Sequence, residues 1–278
     1  MWSRRGHGSR IAALSVIGTA IVLPLVVFVL GPHMPPGKGT PVAASQVTDN
    51  TVLLVVMTPF TVFILVYLAY ALVAFRATKD EGLVDGPPVR GHFKAQVAWL
   101  ATTTAAVLFL AIFGTAELLA GNGAGGGGGP NPVAKPDGAV LPVQVIGQQW
   151  EFTYRSPTYG GVETASLVLP AGREIAFHVT SLDAIHSFWA YELGVKADAN
   201  PGVDNVAYVH TRNPSSFQIR CAELCGLWHG YMSDTGRVVT DSAFTKWIAA
   251  RKRQFAPVMK YLPKYATSYA PDPAYRAG

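Results

Sequence analysis

Three long, almost uninterrupted apolar stretches occupy the first 120 positions, and beyond them the pattern changes to short alternating runs. Residues 11–30 and 51–75 contain no charge, and 95–120 carries only Glu117, near its end. A helix needs roughly 20 residues to cross the hydrocarbon core of a bilayer, and all three stretches meet that length. In lipid every backbone amide must be satisfied within its own segment, so these runs predict helices and not strands. After residue 138 the period falls to two. Ile175, Phe177 and Val179 alternate with Glu174, Ala176 and His178, and Phe217 and Ile219 alternate with Gln218 and Arg220. Such alternation marks strands with one buried face. Turn signals at Pro170-Ala171-Gly172, Asn200-Pro201-Gly202 and Asn213-Pro214-Ser215 predict a compact β-sandwich of about 100 residues.

The chain therefore divides into five parts. Residues 1–47 form an N-terminal hydrophobic segment and loop, 48–121 a transmembrane helical hairpin, 122–138 a Gly/Pro linker, 139–245 the β-sandwich domain and 246–278 a basic, Tyr/Pro-rich tail. A basic start followed by an apolar run describes both a signal sequence and an uncleaved helix, so residues 11–30 remain open between the two. Gly125 to Gly129, followed by Pro130, Asn131 and Pro132, cannot pack a core and predicts a flexible connection. A phosphate-cradling loop would need a Lys-Ser or Lys-Thr after the glycines and a strand before them; neither is present. Beyond Trp247 no clear period remains, which predicts a helix end and an extended tail.

Charge sharpens this picture. The chain carries 22 basic and 17 acidic residues, but residues 139–240 hold nine acidic against six basic ones, a net of −3. The positive excess lies at Arg4, Arg5 and Arg10 and in residues 241–278, so the β domain lacks the clustered Lys and Arg that nucleic-acid binding requires. Arg76, Lys79, Arg90 and Lys94, between the second and third apolar runs, outnumber Lys38 between the first and second. That bias places the former loop in the cytoplasm and the β domain outside.

The chemistry concentrates in Cys221-Ala222-Glu223-Leu224-Cys225-Gly226-Leu227-Trp228-His229-Gly230-Tyr231-Met232, with a second imidazole upstream in Asp183-Ala184-Ile185-His186-Ser187-Phe188-Trp189. Thiolate and thioether donors select copper, particularly its reduced form, and imidazole accepts both oxidation states. The two cysteines alone are equally consistent with a disulfide in an oxidising compartment. A structural zinc site would use Cys₂His₂ and leave Met232 idle, and a mononuclear blue-copper site would leave one cysteine surplus. A thiolate-bridged two-metal site uses every donor.

The Cys-x-Glu-x-Cys-x-x-x-His-x-x-Met pattern, the upstream Asp-x-x-His-Ser-Phe-Trp and the preceding membrane helices resemble cytochrome c oxidase subunit II over roughly residues 48 to 250. The resemblance implies a cupredoxin sandwich bearing a dinuclear copper A centre. Cys221 and Cys225 would bridge both coppers, and His186 and His229 would cap one each. Met232 and the backbone carbonyl of Glu223 would be the weak ligands, and the Glu223 carboxylate would also reach a magnesium ion shared with the catalytic subunit. Gly147-Gln148-Gln149-Trp150-Glu151-Phe152-Thr153-Tyr154 resembles the family's aromatic segment, which makes Trp150 the acceptor of electrons from cytochrome c. By strand period alone Trp150 shares a buried face with Phe152 and Tyr154, and only a bulge or a strand end reconciles the two readings. Phe152 and Arg155 depart from the family pattern, where a second tryptophan and an acidic docking residue are common. Asp183 remains the candidate for donor docking.

The implied partners are a heme-copper catalytic subunit I and other oxidase subunits, cytochrome c or a cytochrome c domain of another complex, and membrane lipid. The location is a bacterial-type cell membrane, crossed several times, with the sandwich on its outer side. No Cys-x-x-Cys-His heme-attachment motif occurs, which predicts that the donor cytochrome is a separate chain. The helices lack the histidine set that binds heme, so the expectation is a chain without heme that performs no bond chemistry itself. A copper A subunit of a nitric oxide reductase, or a copper-free structural subunit of a quinol oxidase, would share much of this pattern.

Overall fold

A computed structural model describes residues 6–35, 37–76, 91–120 and 139–259. The linker glycines, Lys79 and Arg90 of the charged loop, Arg4 and Arg5, and the tail beyond 259 lie outside the described residues. The chain forms two compact units, one of residues 1–34 and 48–117, the other of residues 35–47 and 118–278.

The first unit is helical. Helix α1 (His7–Leu25) runs on through a π turn and a 3₁₀ turn to His33. Helix α2 (Pro41–Ala74) supplies most of its length to this unit, and α3 (Phe93–Ala120) follows. All three are long and apolar enough to cross a membrane. Their outward positions carry large apolar side chains, Phe28, Val73 and Trp99 among them. In water such a surface would be a large liability, and in hydrocarbon it is the expected one.

The α2 helix starts ten residues before the apolar run that predicts it. Thr40 and Pro41 explain the early start: threonine is a preferred N-cap, and proline suits the first helical position because its missing N–H would have no partner there. The Thr40 hydroxyl accepts from Ala43 N at 3.1 Å and donates to Leu193 O at 2.7 Å. Gly39 N donates to Glu192 O at 2.8 Å and Gln46 Nε2 to Gly194 O at 2.9 Å. Residues 35–47 thus belong to the β-rich unit. Thr40 is fully buried, so Thr40→Val keeps its shape and strands both partners. A lost cap costs about 1–2 kcal/mol. Hydrogen exchange of the amides of residues 43–46 is therefore expected to accelerate roughly 5- to 30-fold; unchanged protection would show that the hydroxyl contributes nothing.

The second unit is a sandwich of two five-stranded sheets, ordered β3-β2-β1-β5-β8 and β4-β10-β9-β6-β7. The first contains β1 (Val140–Gln148), β2 (Glu151–Ser156), β3 (Val162–Thr164), β5 (Glu174–Ser181) and β8 (Asn205–His210). The second contains β4 (Val168–Pro170), β6 (His186–Ala190), β7 (Val195–Ala199), β9 (Ser215–Cys221) and β10 (Ser233–Val239). The β1–β5 and β4–β10 pairs are parallel and the other pairs antiparallel. This is the cupredoxin architecture that the resemblance implies.

Between the sheets lie Phe177, Phe188, Phe217, Ile175, Ile219 and Val145, each at most 1 % exposed. The alternation predicted for β9 holds, with Phe217 and Ile219 inward and Gln218 and Arg220 outward. In β5 the inward set is as expected, but Ala176 is buried as well. It lies in register between Pro142 of β1 and Tyr208 of β8, so a small side chain on a central strand is covered by its neighbours. Helix α4 (Asp241–Met259) reaches twelve residues past Trp247, where the sequence reading ends it. Phe244 and Ile248 are buried, and Trp247 and Phe255 pack against the same core. That helical spacing is masked in the sequence by the Arg251-Lys252-Arg253 run.

Candidate metal centre

Two strand ends and one loop build the centre. Strand β6 opens with His186, whose side chain is completely buried. Strand β9 pairs with β6 through Phe188 and Cys221 and ends at Cys221. The chain then makes a loop whose last residue, Met232, returns its carbonyl to Cys221 N at 3.0 Å just before β10 begins. A 3₁₀ turn over His229–Tyr231 curls the loop inward. Short ligand spacing therefore suffices for the loop, and sheet pairing delivers the remaining imidazole.

The five side chains converge. Cys221 Sγ lies 3.7 Å from Cys225 Sγ and 3.9 Å from His186 Nδ1. Cys225 Sγ lies 3.5 Å from His229 Nδ1 and 3.7 Å from Met232 Sδ. The Cys221 thiol donates to the Glu223 carbonyl at 3.1 Å. A disulfide requires sulfurs about 2.05 Å apart, so these two thiols are free. Ligand atoms of His186, Cys221 and Cys225 all lie within 4.8 Å of one another, an arrangement suited to a metal ion. Cys225 is 3 % exposed and Met232 1 %. Burial, reinforced by the neighbouring Cys221 thiol, pushes the Cys225 thiol up to about 12. The metal-free thiol therefore stays protonated, and an incoming metal must displace that proton.

The donor chemistry fits copper. Two soft thiols, a thioether and two ring nitrogens are turned toward one another, and a carbonyl is beside them. Tetrahedral zinc has no place for Met232, whose sulfur nevertheless points at Cys225.

A carboxylate fixes His186 from behind. His186 Nε2–H donates to Asp183 Oδ1 at 2.8 Å, which leaves the Nδ1 lone pair facing Cys221. Ala184 N also donates to Oδ1, at 2.6 Å, and Gln149 N to Oδ2, at 2.7 Å. Burial opposes ionisation of Asp183, but the bonds from His186, Gln149 and Ala184 outweigh it and hold the carboxyl below its ordinary range. Both oxygens of the residue proposed for donor docking are thus engaged, Oδ1 by the His186 imidazole and Oδ2 by the β1–β2 turn. Orienting a ligating imidazole through a carboxylate is the usual task of such a neighbour.

Trp150 stands outside the strand alternation. Strands β1 and β2 pair up to Gln148 and Glu151, which leaves Gln149 and Trp150 as the hairpin turn. Phe152 and Tyr154 point into the core, 4 % and 2 % exposed, while Trp150 is only half-buried against it. The strand end that would reconcile the two sequence readings is present. Gly226, the residue after Cys225, has φ +117°, and a Cβ there would meet Gln149 Nε2 at 2.9 Å and the Trp150 ring at 3.4 Å. Glycine is the residue that tolerates this backbone and this approach. The Trp150 ring consequently lies against the peptide next to Cys225. Gly147 makes a similar approach, since a Cβ on it would meet the His186 ring at 3.0 Å. The Glu223 side chain is exposed. Sequence reasoning missed Gln149 and Gly147 as parts of the site, although both lie in the aromatic segment it singled out.

Residues 161–239 match a family model described as the periplasmic domain of cytochrome c oxidase subunit II. A cytochrome c oxidase subunit 2 from Synechocystis is 29 % identical over 243 residues, 74 % of this chain and 72 % of that protein. A probable cytochrome c oxidase subunit 2 from Rickettsia prowazekii is 31 % identical over 134 residues, 41 % of this chain and 43 % of that one. The crystal structure of the periplasmic domain of subunit II of cytochrome oxidase from Bradyrhizobium japonicum is 31 % identical. It covers 44 % of this chain and 98 % of its own, with a TM-score of 0.41.

Proposed function

This chain belongs to the cytochrome c oxidase subunit II family, and from that premise we propose that it takes single electrons from cytochrome c and passes them toward heme in a catalytic subunit that reduces oxygen. The observation that carries the reading is the pair of unlinked thiols 3.7 Å apart with His186, His229 and Met232 around them. Cys221 and Cys225 would hold two copper ions between them. His186 and His229 would each complete one side, with Met232 and the Glu223 carbonyl as the weaker donors. A bound copper pair supplies a one-electron redox centre whose charge is shared between two metals.

The residues of the chain do the rest. Trp150, half-buried on a hairpin turn, accepts the electron from the docked donor, and its contact with Gly226 leads directly to Cys225. Asp183 keeps the Nε2 proton on His186, so that Nδ1 stays free as a ligand. The burial of His186, Cys225 and Met232 keeps water out, which limits reorganisation during transfer. A β domain with a net of −3 over residues 139–240 suits a basic donor, because opposite potentials raise the encounter rate and weaken with salt. Catalysis proper resides in the partner subunit, and the Glu223 carboxylate, which is exposed, would contribute to a magnesium ion shared with it. The sandwich lies on the outer face of a bacterial-type membrane crossed by the apolar helices.

The test is copper analysis of the purified complex with oxygen uptake on reduced cytochrome c. About two coppers per chain in this subunit, a spin signal shared between two copper nuclei and donor-driven oxygen consumption are expected. A chain without copper, or with one ordinary mononuclear copper, sinks the assignment. Turnover of nitric oxide in place of oxygen would move it to a reductase.

A further inference from the structure

We infer that Gln149 is a positioning residue that ties the electron-accepting turn to both halves of the candidate copper centre. The inference rests on the copper reading of Cys221, Cys225 and His186.

Gln149 donates two hydrogen bonds, one from its backbone and one from its side chain. Its backbone N–H donates to Asp183 Oδ2 at 2.7 Å, and the other oxygen of that carboxylate accepts from His186 Nε2 at 2.8 Å. Its side-chain Nε2 donates to the carbonyl of Cys225 at 2.8 Å. A single residue on the β1–β2 turn therefore reaches the imidazole on β6 through one carboxylate, and the backbone of a thiol on the ligand loop directly. The next residue is Trp150.

The Cys225 carbonyl is a consequential acceptor. It belongs to the peptide joining Cys225 to Gly226, and glycine gives that peptide more rotational freedom than any other residue would. Rotation there would swing the Cys225 backbone and with it Sγ. Gln149 holds the carbonyl on one side of this peptide. On the other, the Gly226 carbonyl accepts from His229 N at 3.2 Å. The missing side chain at Gly226 leaves room for the amide, since a Cβ would meet it at 2.9 Å. Gln148, one position earlier, donates its side-chain amide to Glu151 across the hairpin, at an exposed site, and among the described residues its side chain bonds nothing at the centre.

The experiment uses the intact complex carrying Gln149→Glu, which has the same shape but no donor, and separately Gln149→Met, with Gln148→Ala as control. Gln149 is exposed, so these variants should assemble. Copper release to a chelator is expected to speed up about tenfold in both Gln149 variants, the lower range for a residue supporting a metal ligand. The paramagnetic hyperfine pattern should change with it, and Gln148→Ala should match the unaltered complex in both readouts. Wild-type release and an unchanged spectrum in both Gln149 variants overturn the inference while leaving the copper reading intact. So does an effect confined to KM for the donor, which would make Gln149 a docking residue, or an equal effect from Gln148→Ala, which would make it a turn effect. Absence of copper from the unaltered complex removes the copper reading and this inference together.

Discussion

Serine in place of Cys225 is expected to abolish the paired-copper spectrum and slow electron delivery from reduced cytochrome c by roughly 100-fold or more, because residues that merely support a ligand already cost 10- to 100-fold in metal affinity or activity. Cys225 is the hub of the site. Its sulfur lies 3.7 Å from Cys221 Sγ, 3.5 Å from His229 Nδ1 and 3.7 Å from Met232 Sδ. A serine hydroxyl is a hard, poorly ionised donor that neither bridges two coppers nor favours the reduced metal. Either substitution leaves two imidazoles, one thiolate and a thioether, the donor list of a mononuclear blue-copper site, but the remaining thiolate is differently placed. Cys225 Sγ has both His229 Nδ1 and Met232 Sδ within 3.7 Å, whereas Cys221 Sγ has His186 Nδ1 at 3.9 Å. Cys221→Ser is therefore expected to retain about one copper with a single-nucleus signal, and Cys225→Ser to retain little or none. Elemental analysis and paramagnetic resonance of the assembled variants check both. Two coppers and undiminished oxygen uptake in either variant would show that the thiols are not the bridge.

The difference between these variants was implicit in the sequence, because the loop from Cys221 to Met232 carries four of its five side-chain donors at spacings of four, four and three. A local loop can be read without knowing the fold. His186 is legible as a second imidazole, but its place against the loop is not, since nothing in a single imidazole 35 residues upstream announces that β6 pairs with β9. What the sequence does not show of Asp183 is its hold on the site, because only the fold brings its oxygens to accept from His186, Ala184 and Gln149. Trp150 was ambiguous because Gln149-Trp150 carries none of the Asn-Gly or Asp-Gly chemistry that marks a two-residue hairpin turn. Period-two counting ran straight through it and assigned it to the face of Phe152 and Tyr154. The membrane helices were the most legible elements, as their length and apolarity are dictated by the solvent. Their ends were less so. The start of α2 depends on a Thr40 hydroxyl that finds Leu193, and the extension of α4 on Phe255 reaching the core; both are tertiary contacts.

Phe188→Ala is expected to produce the largest loss of stability, about 3–5 kcal/mol, the usual cost of removing a fully buried phenylalanine. Phe188 is completely buried, with ring centroids 5.3 Å from Phe177, 5.8 Å from Phe152 and 6.5 Å from Tyr154. Two of these contacts are edge-on, an arrangement worth about 0.5–1.5 kcal/mol beyond area alone. The rings come from β2, β5 and β6, so the residue joins the two sheets where no single strand can shift to fill the space. At about 4 °C per kcal/mol for a domain of roughly 100 residues, the thermal midpoint should fall by about 12–20 °C, followed by near-ultraviolet dichroism of the complex. The consequence extends to the centre. Phe188 faces Cys221 across the β6–β9 pair, and Phe152 lies 6.4 Å from the His186 ring. A cavity here removes the wall behind both ligands. Copper should therefore leave at a lower temperature than in the unaltered complex, in step with unfolding. Phe188→Leu, which refills most of the volume, should recover more than half of the loss. A midpoint for Phe188→Ala within about 2 °C of the unaltered complex would mean that the two sheets are held together elsewhere.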